Sequence, residues 1–289
     1  MVDAYRPRAG QEEWRQVVSS VKPSNRAYEE SAYFAGLGNL ARKPEGEPIQ
    51  YDELVQGPTQ RWTHTTYALG ARMTEELIED SLYPDIGEME TISRELGMSA
   101  RETFNVLVFD MYNNITVTTY HTGGDDLALA VTNHTLLRGG TWSNRLSPDA
   151  DLSAATLQTM IQNFETTRDD TGKFQLIRPK WVLVHPNQEW KLKELLNSTY
   201  DPESANNAVN VLRTRNLQPV ITPYYTDTDA TTLLAEPPTS NGGFIVFMRR
   251  KVSFARDGDF QTGDALFKVT FRMSVECNKA NHLYHTTGA

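Results

Sequence analysis

The longest regular pattern in the chain is a helical one over residues 87–114. Apolar side chains recur there every three or four positions, and the stripe consists of Met89, Ile92, Leu96, Ala100, Phe104, Leu107, Met111 and Ile115. This spacing predicts one long helix with a single apolar face, about 40 Å long at about 1.5 Å per residue. Gly97 could break the helix, and Ser99 followed by Glu102 has the spacing of a capping box, so two consecutive helices remain an alternative.

Beyond residue 124 the pattern changes to alternating helices and short apolar strands. A helix opened by Pro148 and Asp151 has a face made of Leu157, Met160, Ile161 and Phe164. A second helix is predicted from Pro186–Asn187 through Leu195–Leu196, and strands are predicted at 181–184, 219–221 and 232–234. This alternation is typical of an α/β segment.

Two long strands are predicted towards the end of the chain, at Lys251–Ala255 and Ala265–Val275. In the second strand apolar and polar side chains alternate, which indicates a sheet buried on one side. The residues between the two strands, 257–264, are rich in Asp and Gly and predict a turn.

Residues 1–48 mix charges, glycines and prolines and carry one short aromatic patch at Tyr33–Phe34, so we predict an arm that lies on something else. Residues 49–69 are predicted to form two strands around a turn at Gln56–Thr59, because Gly57 and Pro58 interrupt the pattern there. The second strand is rich in Thr and has little apolar surface for a core of its own. The predicted hairpin therefore needs a partner.

Composition excludes several classes of function. With 28 Lys+Arg against 37 Asp+Glu, the formal net charge is -9, which disfavours a protein that reads nucleic-acid sequence. The apolar runs fall far short of the ~20 residues that span a bilayer, and no apolar stretch follows the N-terminus as in a secretory signal. We therefore expect no membrane span and a chain that stays in the cytoplasm. The single cysteine, Cys277, is expected to be a buried thiol.

Signals for catalysis are weak, and we predict no catalytic residue, no metal and no cofactor. The sequence contains no nucleophile elbow, no phosphate-binding loop and no His-Glu-x-x-His motif. His282 and His285 have metal-like spacing but no third ligand nearby, and we interpret them, like His64, as surface residues. Residues 257–264 resemble part of a calcium loop, but its twelfth position falls on Lys268, where a Glu is needed.

The order of these parts is more specific than any one motif. An arm, a Thr-rich hairpin, a long helix, an α/β lobe and returning long strands together resemble the major capsid proteins of tailed phages, which have the HK-ninety-seven-type fold. Residues 57–80, Asn206–Asn210 and Tyr224–Ala230 are similar to landmarks of one branch of that family. The resemblance covers nearly the whole chain, from about residue 50 to residue 288.

The resemblance implies an α+β subunit with four parts. They are an N-terminal arm at 1–48, an extended β-hairpin loop at 49–80, a peripheral domain with a long spine helix at 81–124 and 244–277, and an α/β axial domain at 125–243 and 278–289. The axial domain would point at the five-fold and six-fold axes of an icosahedral shell. The extended loop would lie over the neighbouring subunit.

The resemblance also implies where copies of the chain meet. Contacts through the extended loop would come from Gln56, Gly57, Pro58, Trp62, His64 and Tyr67. Contacts near the three-fold axes would come from Asp257, Asp259, Phe260 and Asp264. Like-charged Asp side chains near the three-fold axes would make assembly sensitive to salt and pH.

The implied function is that of a head protein that assembles through hexamers and pentamers into the shell around the phage genome. Its expected partners are copies of itself, a separate scaffolding protein, a portal protein, decoration proteins in some virions, and double-stranded DNA bound on the inner face without sequence specificity. It would be assembled in the cytoplasm of the bacterial host and end in the virion. No membrane partner is expected.

Some members of the family that the chain resembles cross-link their subunits. In these members a lysine of the extended loop attacks an asparagine side chain of a neighbouring subunit with help from a glutamate. Here no lysine lies between Lys43 and Lys173, and Lys43 falls in the predicted arm. Arg61 lies within the predicted loop, but a guanidinium stays protonated and cannot act as that nucleophile. We therefore predict a shell held by non-covalent contacts.

Two functions of other classes stay open. One is a cytoplasmic α/β enzyme, such as a glycosyltransferase that uses Asp227 and Asp229. The other is a different homo-oligomeric virion component, such as a tail-tube or sheath subunit.

Overall fold

The chain passes back and forth between two structural units. The computed structural model describes residues 12–80, 89–118, 125–203, 208–235, 243–277 and 279–289. Unit 1 takes Met1–Glu29, Trp62–Phe109 and Ile245–Glu276, and unit 2 takes Glu30–Arg61, Asp110–Phe244 and Cys277–Ala289. Asn206 and Asn207, the first two residues of the family landmark Asn206–Asn210, lie outside the described residues.

A four-stranded sheet in the order β1-β10-β11-β4 is the centre of unit 1. Its strands are β1 (Ser20–Pro23), β4 (Thr65–Met73), β10 (Phe244–Gly258) and β11 (Ala265–Cys277). β1 runs parallel to β10, and β4 runs antiparallel to β11. Phe267, Val269, Phe271 and Met273 of β11 are buried, which confirms the predicted alternation up to Met273. At the end of the strand the alternation is lost, because Val275 is half-buried and Glu276 is buried.

The long helix predicted from the sequence is present as α3 (Met89–Asn113), and it follows the short helices α1 (Trp14–Val17) and α2 (Glu75–Asp80). α3 continues through Gly97, so the two-helix alternative is wrong. Its Phe104 lies between two aromatic rings, 5.8 Å from Trp14 and 4.5 Å from Phe271 between centroids. This stack ties α1 and α3 to the sheet.

Part of the predicted N-terminal arm is folded into regular elements. Trp14 and Val17 of α1 are buried, and β1 is a strand of the unit 1 sheet. β2 (Tyr28–Ala35) pairs with β3 (Val55–Thr63) in a separate two-stranded sheet. Residues of β1 and β2 are exposed or half-buried except Ala35, so these strands need few apolar residues, and a charged composition does not reveal them.

The hairpin predicted over residues 49–69 is wrong in its turn and in its pairing. Residues 56–59 lie inside β3, which pairs with β2, whereas β4 pairs with β11. Pro58 is tolerated because a strand of a two-stranded sheet has an edge without a ladder partner. Gly57 is needed for a close approach, since a Cβ there would lie 3.0 Å from ring carbons of Tyr33 and 3.1 Å from its carbonyl oxygen.

Unit 2 contains a second four-stranded sheet in the order β12-β9-β7-β8, and a small sheet formed by β5 (His134–Thr135) and β6 (Thr141–Trp142). The four strands are β7 (Pro179–Val184), β8 (Gln218–Ile221), β9 (Thr231–Ala235) and β12 (Leu283–Thr286). β7 is parallel to β8 and antiparallel to β9, and β12 is antiparallel to β9. β7, β8 and β9 confirm the predicted strands, whereas β12 had no signal in the pattern.

Two helices pack into the core of unit 2, α4 (Ala154–Glu165) and α5 (Glu189–Asn197). α4 begins later than Pro148 and Asp151 suggested, because Ser153 is its N-cap and accepts the N–H of Thr156 at 3.1 Å. Short 3-10 helices lie at Pro186–Gln188 and Leu212–Arg215. Within the described ranges, no helix has both the length and the apolar character needed to cross a membrane.

Candidate subunit-interface site

Residues 36–54, called here the connecting segment, join β2 to β3 and form neither helix nor strand. Large apolar side chains in it and beside it are exposed to solvent: Phe34, Leu37, Leu40, Ile49, Tyr51, Leu54 and Val55. Leu40 is 102% exposed and Tyr51 is 88% exposed. Apolar side chains concentrated on a surface in this way are typical of a place that another protein covers.

Arg138 holds both ends of the connecting segment. Its guanidinium donates to Asp52 Oδ1 at 2.7 Å, to the Gly36 carbonyl oxygen at 3.1 Å and to the Glu53 carbonyl oxygen at 2.5 Å. Asp52 Oδ2 also accepts the N–H of Gly38 at 2.7 Å. The hydrogen bond from Arg138, and then the one from Gly38, lower the pKa of Asp52 to about 2. The segment is thus fixed at its ends while its apolar side chains stay exposed.

Tyr33 of β2 provides a second anchor in unit 2. The Lys279 ammonium lies 5.0 Å from the centre of the Tyr33 ring and forms an ion pair with Asp170 at 2.8 Å. Burial, and then the charge of Asp170, raise the pKa of Tyr33 to about 12. The ring lies against Gly57 of β3, so this contact also fixes the pairing of β2 with β3.

The turn at residues 257–264, between β10 and β11, presents an aromatic ring to solvent. Asp259 organises the turn, because its N–H donates to the Asp264 carbonyl oxygen at 2.9 Å and its Oδ1 accepts the N–H of Gln261 at 2.9 Å. Phe260 at the tip is 102% exposed. Asp264 is instead buried and forms an ion pair with Arg72 at 3.1 Å. The group of like-charged acids expected here is therefore smaller than predicted.

The six residues predicted for contacts through the extended loop do not form one surface. Gln56 and Pro58 are exposed on β3, Trp62 of the same strand is half-buried, and Gly57 lies beneath the Tyr33 ring. Tyr67 belongs to β4, where it stacks on Phe271 with 5.3 Å between centroids. His64 lies between β3 and β4 and is 3% exposed. A contact with a neighbouring subunit stays a prediction for the exposed members.

The three histidines interpreted from the sequence as surface residues are all buried. His64 lies between two serine hydroxyls. His285 Nδ1 is 2.9 Å from Thr232 Oγ1, and burial lowers the pKa of His282 and of His285 to about 4. His285 is buried because it lies in β12, and His282 directly precedes that strand. Across the described ranges, no three His, Cys, Asp or Glu side chains lie together as metal ligands would.

Asp227 has a structural role in the turn before β9. Its Oδ1 accepts the N–H of Asp229 at 3.1 Å and the N–H of Ala230 at 3.2 Å. An Asp side chain bonded to the backbone two residues on is an ordinary way to build a turn. This arrangement accounts for the Asp-x-Asp pattern without a sugar-nucleotide site.

Comparison with known proteins bears on this arrangement of an exposed connecting segment and two mixed sheets. Residues 57–283 match the model of a family described as phage capsid protein. The chain belongs to this family. It is a major capsid protein, and its place is in the shell of the virion. No curated protein matches the chain.

Solved structures show the same fold in other proteins. The capsid of the cyanophage P-SCSP1u has a TM-score of 0.64 at 9% identity, covering 93% of the capsid protein described here and 86% of its own chain. The capsid of an empty GTA particle has a TM-score of 0.59 at 11% identity, with coverages of 98% and 92%. The SrpI encapsulin complex of Synechococcus elongatus PCC 7942 has a TM-score of 0.54 at 10% identity, with coverages of 98% and 90%. These likenesses confirm the predicted α+β capsid fold.

Proposed function

We propose that the capsid protein assembles through hexamers and pentamers into the icosahedral shell that encloses the genome of a tailed phage. The connecting segment is the observation that carries this proposal, because it is held at both ends by Arg138 and still exposes its apolar side chains. Burying one Leu side chain such as Leu40 against a second copy contributes about 1.5–3 kcal/mol. Repeated at every subunit, such contacts add up over a closed shell.

Within the same proposal, unit 1 has the peripheral role and unit 2 the axial role. Phe260 contacts a copy of the chain near a three-fold axis, and its full exposure in the single chain supports this. The exposed Gln56 and Pro58 belong to the ribbon of β2 and β3 that lies over the neighbouring subunit. The role is structural and involves no catalysis, which is supported by the use of Asp227 as a turn former.

The proposed partners follow from a shell that is filled with DNA. A separate scaffolding protein guides closure, a portal protein occupies one vertex, and decoration proteins bind the outer face in some virions. The net charge of -9 repels packaged double-stranded DNA overall, so contact with it on the inner face is local and independent of sequence. Assembly takes place in the cytoplasm of the bacterial host.

The experiment that tests the proposal replaces Leu40 and Tyr51 together by Asp in the full chain. Both side chains are exposed, so the variant should fold as the wild type does by circular dichroism. Sedimentation velocity and electron microscopy should show capsomers and shells for the wild type and dispersed subunits for the variant. The matched control is Leu40→Met with Tyr51→Phe, which keeps both positions apolar and should assemble.

The alternatives give different results in the same experiment. Tubes or stacked rings in place of closed shells would favour a tail component. A small globular species under all conditions, with or without the substitutions, would favour an enzyme. Normal shells from the Asp variant would contradict the interface assigned to the connecting segment.

A further inference from the structure

A chain of hydrogen bonds joins two carboxyl groups inside unit 1. Ser24 Oγ lies 2.6 Å from Glu29 Oε1 and 3.0 Å from His64 Nε2. On the other side of the ring, His64 Nδ1 lies 3.0 Å from Ser274 Oγ, which is 2.9 Å from Glu276 Oε1. Ser24, His64 and Glu276 are 4%, 3% and 2% exposed. We call these five residues the His64 relay.

The His64 relay contains four hydrogen bonds and needs four protons. Each of its two serines has one hydroxyl proton, a neutral imidazole has one N–H, and an ionised carboxylate has none. With His64 neutral and both carboxylates ionised, only three protons are present. At one of the four contacts two acceptor atoms therefore face each other with no hydrogen between them. A fourth proton, on His64 or on one of the two carboxyl groups, completes the chain.

The charges around His64 disfavour the ring as the site of the fourth proton. Burial lowers the pKa of His64, Glu29 opposes that shift, and Arg272 and Arg249 lower the pKa further. Arg272 Nε donates to the His64 carbonyl oxygen at 3.1 Å, and Arg249 reaches the Ser24 carbonyl oxygen at 3.5 Å. Two guanidinium groups therefore lie beside the relay on β10 and β11, and they repel an imidazolium.

Glu276 is the better carrier. Burial raises its pKa to about 7, against the hydrogen bond from Ser274, with a further rise from Glu29 and a small opposing effect of Lys22 on β1. Arg26 Nη1 lies 3.9 Å from Glu29 Oε2, so a positive charge faces that carboxyl group directly. A protonated Glu276 donates to Ser274, Ser274 donates to His64 Nδ1, and His64 Nε2–H donates to Ser24, so all four bonds are complete.

The relay joins points that are far apart in the sequence. Ser24 follows β1, and Glu29 lies near the start of β2. His64 lies between β3 and β4, and the other two members lie near the end of β11. We propose that the His64 relay is a one-proton latch, which holds the start of β2 and the β3–β4 junction on β11 and releases them when its fourth proton leaves to solvent. This inference does not depend on the proposed function.

The direction of the pH effect follows from proton linkage. Glu276 has a pKa of about 7 in the folded chain against an ordinary value of 4.5, so the closed relay binds more protons than the opened one between these pH values. The latch is fully effective below about pH 4.5 and loses its contribution as the pH rises to about 7. Local opening should therefore become at least about tenfold more frequent between pH 5 and pH 7.

Hydrogen-exchange mass spectrometry on the full chain, corrected for the intrinsic pH dependence of exchange, measures this opening at residues 24–35 and 62–66. In Glu276→Gln the amide N–H supplies the fourth proton permanently, so we expect less than a twofold change over the same range. Glu95→Gln, at an exposed position of α3, is the matched control and should behave as the wild type does. Equal pH profiles for wild type and Glu276→Gln would overturn the proposal.

Two further measurements test the proposal even if Glu276→Gln does not fold. In the wild type, the carboxyl carbon resonance of Glu276 should titrate within about one unit of pH 7, and a midpoint below pH 5 would contradict the latch. Ser274→Ala cuts the relay between the carboxyl group and the ring. In that variant Glu276 should still titrate while exchange at residues 24–35 no longer follows pH, whereas an unchanged profile would show that the relay does not transmit the proton.

Discussion

Replacing Arg138 by Met should release the connecting segment while leaving the rest of unit 2 folded. The Met side chain keeps an apolar stem and loses the bonds to the carbonyl oxygens of Gly36 and Glu53 and to Asp52. Each of the two carbonyl bonds is solvent-exposed and contributes a net ~0.5–1 kcal/mol, and the exposed pair with Asp52 adds little because water screens it. The loss of about 1–2 kcal/mol raises the opened population about 5- to 30-fold.

Hydrogen exchange at residues 36–54 measures that population directly. We expect exchange in the segment to rise by the same factor, with the protection of β7 and β9 unchanged and with fewer complete shells formed. Arg213→Met is the matched control, because Arg213 is an exposed arginine of unit 2 that bonds to Thr199 Oγ1 at 3.1 Å, away from the segment. Exchange within twofold of the wild type would refute the view that Arg138 holds the segment.

Three further outcomes are expected. Phe104→Ala should lower the free energy of unfolding by about 3–5 kcal/mol in urea titrations, because it opens a cavity between Trp14 and Phe271, and Phe104→Leu should lose less. His282 and His285 have pKa values of about 4 when folded against an ordinary value of 6.5, so the unfolded chain binds more protons between these pH values. The free energy of unfolding should therefore fall as the pH drops through this range, by up to about 3 kcal/mol for each histidine, and His282→Phe should reduce the slope of that fall. Boiling purified shells in SDS should give one band near the chain mass of 32.6 kDa, and a ladder of multiples would contradict a non-covalent shell.

The parts of the fold that could be predicted are those whose own periodicity is strong. α3, with its long apolar stripe, and β11, with its strict alternation, each bury one face, so the sequence pattern directly reflects the packing. β7 and α5 were also predicted at nearly their observed bounds, because short apolar runs there are separated by Pro186. In these segments local pattern and tertiary contacts agree.

The ribbon of β2 and β3 could not be predicted because its signals have two physical meanings. Gly57 followed by Pro58 usually marks a turn, but here Gly57 makes room for Tyr33 and Pro58 lies on a strand of a two-stranded sheet. Which meaning applies depends on Tyr33, more than twenty positions earlier. The exposed apolar residues of the connecting segment were also missed, since Leu37 and Leu40 were assigned to an arm that lies on something else.

The burial of certain polar residues could not be predicted either, for a different reason. His64 lies in a Thr-rich stretch that has the composition of a surface strand, and nothing local shows that Ser24 and Ser274 come together around it. Asp264 likewise has the composition of a solvated turn and is buried by its ion pair with Arg72 on β4. In each case the partner is supplied by the sheet pairing of distant strands, which the pattern of one strand does not contain.

The position of Lys43 in the structure bears on the prediction of a non-covalent shell. The expectation of a non-covalent shell began from the absence of lysine in a loop placed at residues 49–80, but the structure places Lys43 within the connecting segment, where its side chain is exposed. A cross-link between subunits at this position requires an asparagine of the neighbouring subunit to lie against the exposed amine of Lys43. Cross-linking is then decided by the assembled interface and not by the single chain. Lys43→Arg shells separate the two cases, because a ladder that disappears in this variant identifies Lys43 as the nucleophile, whereas a ladder that persists places the reactive amine elsewhere.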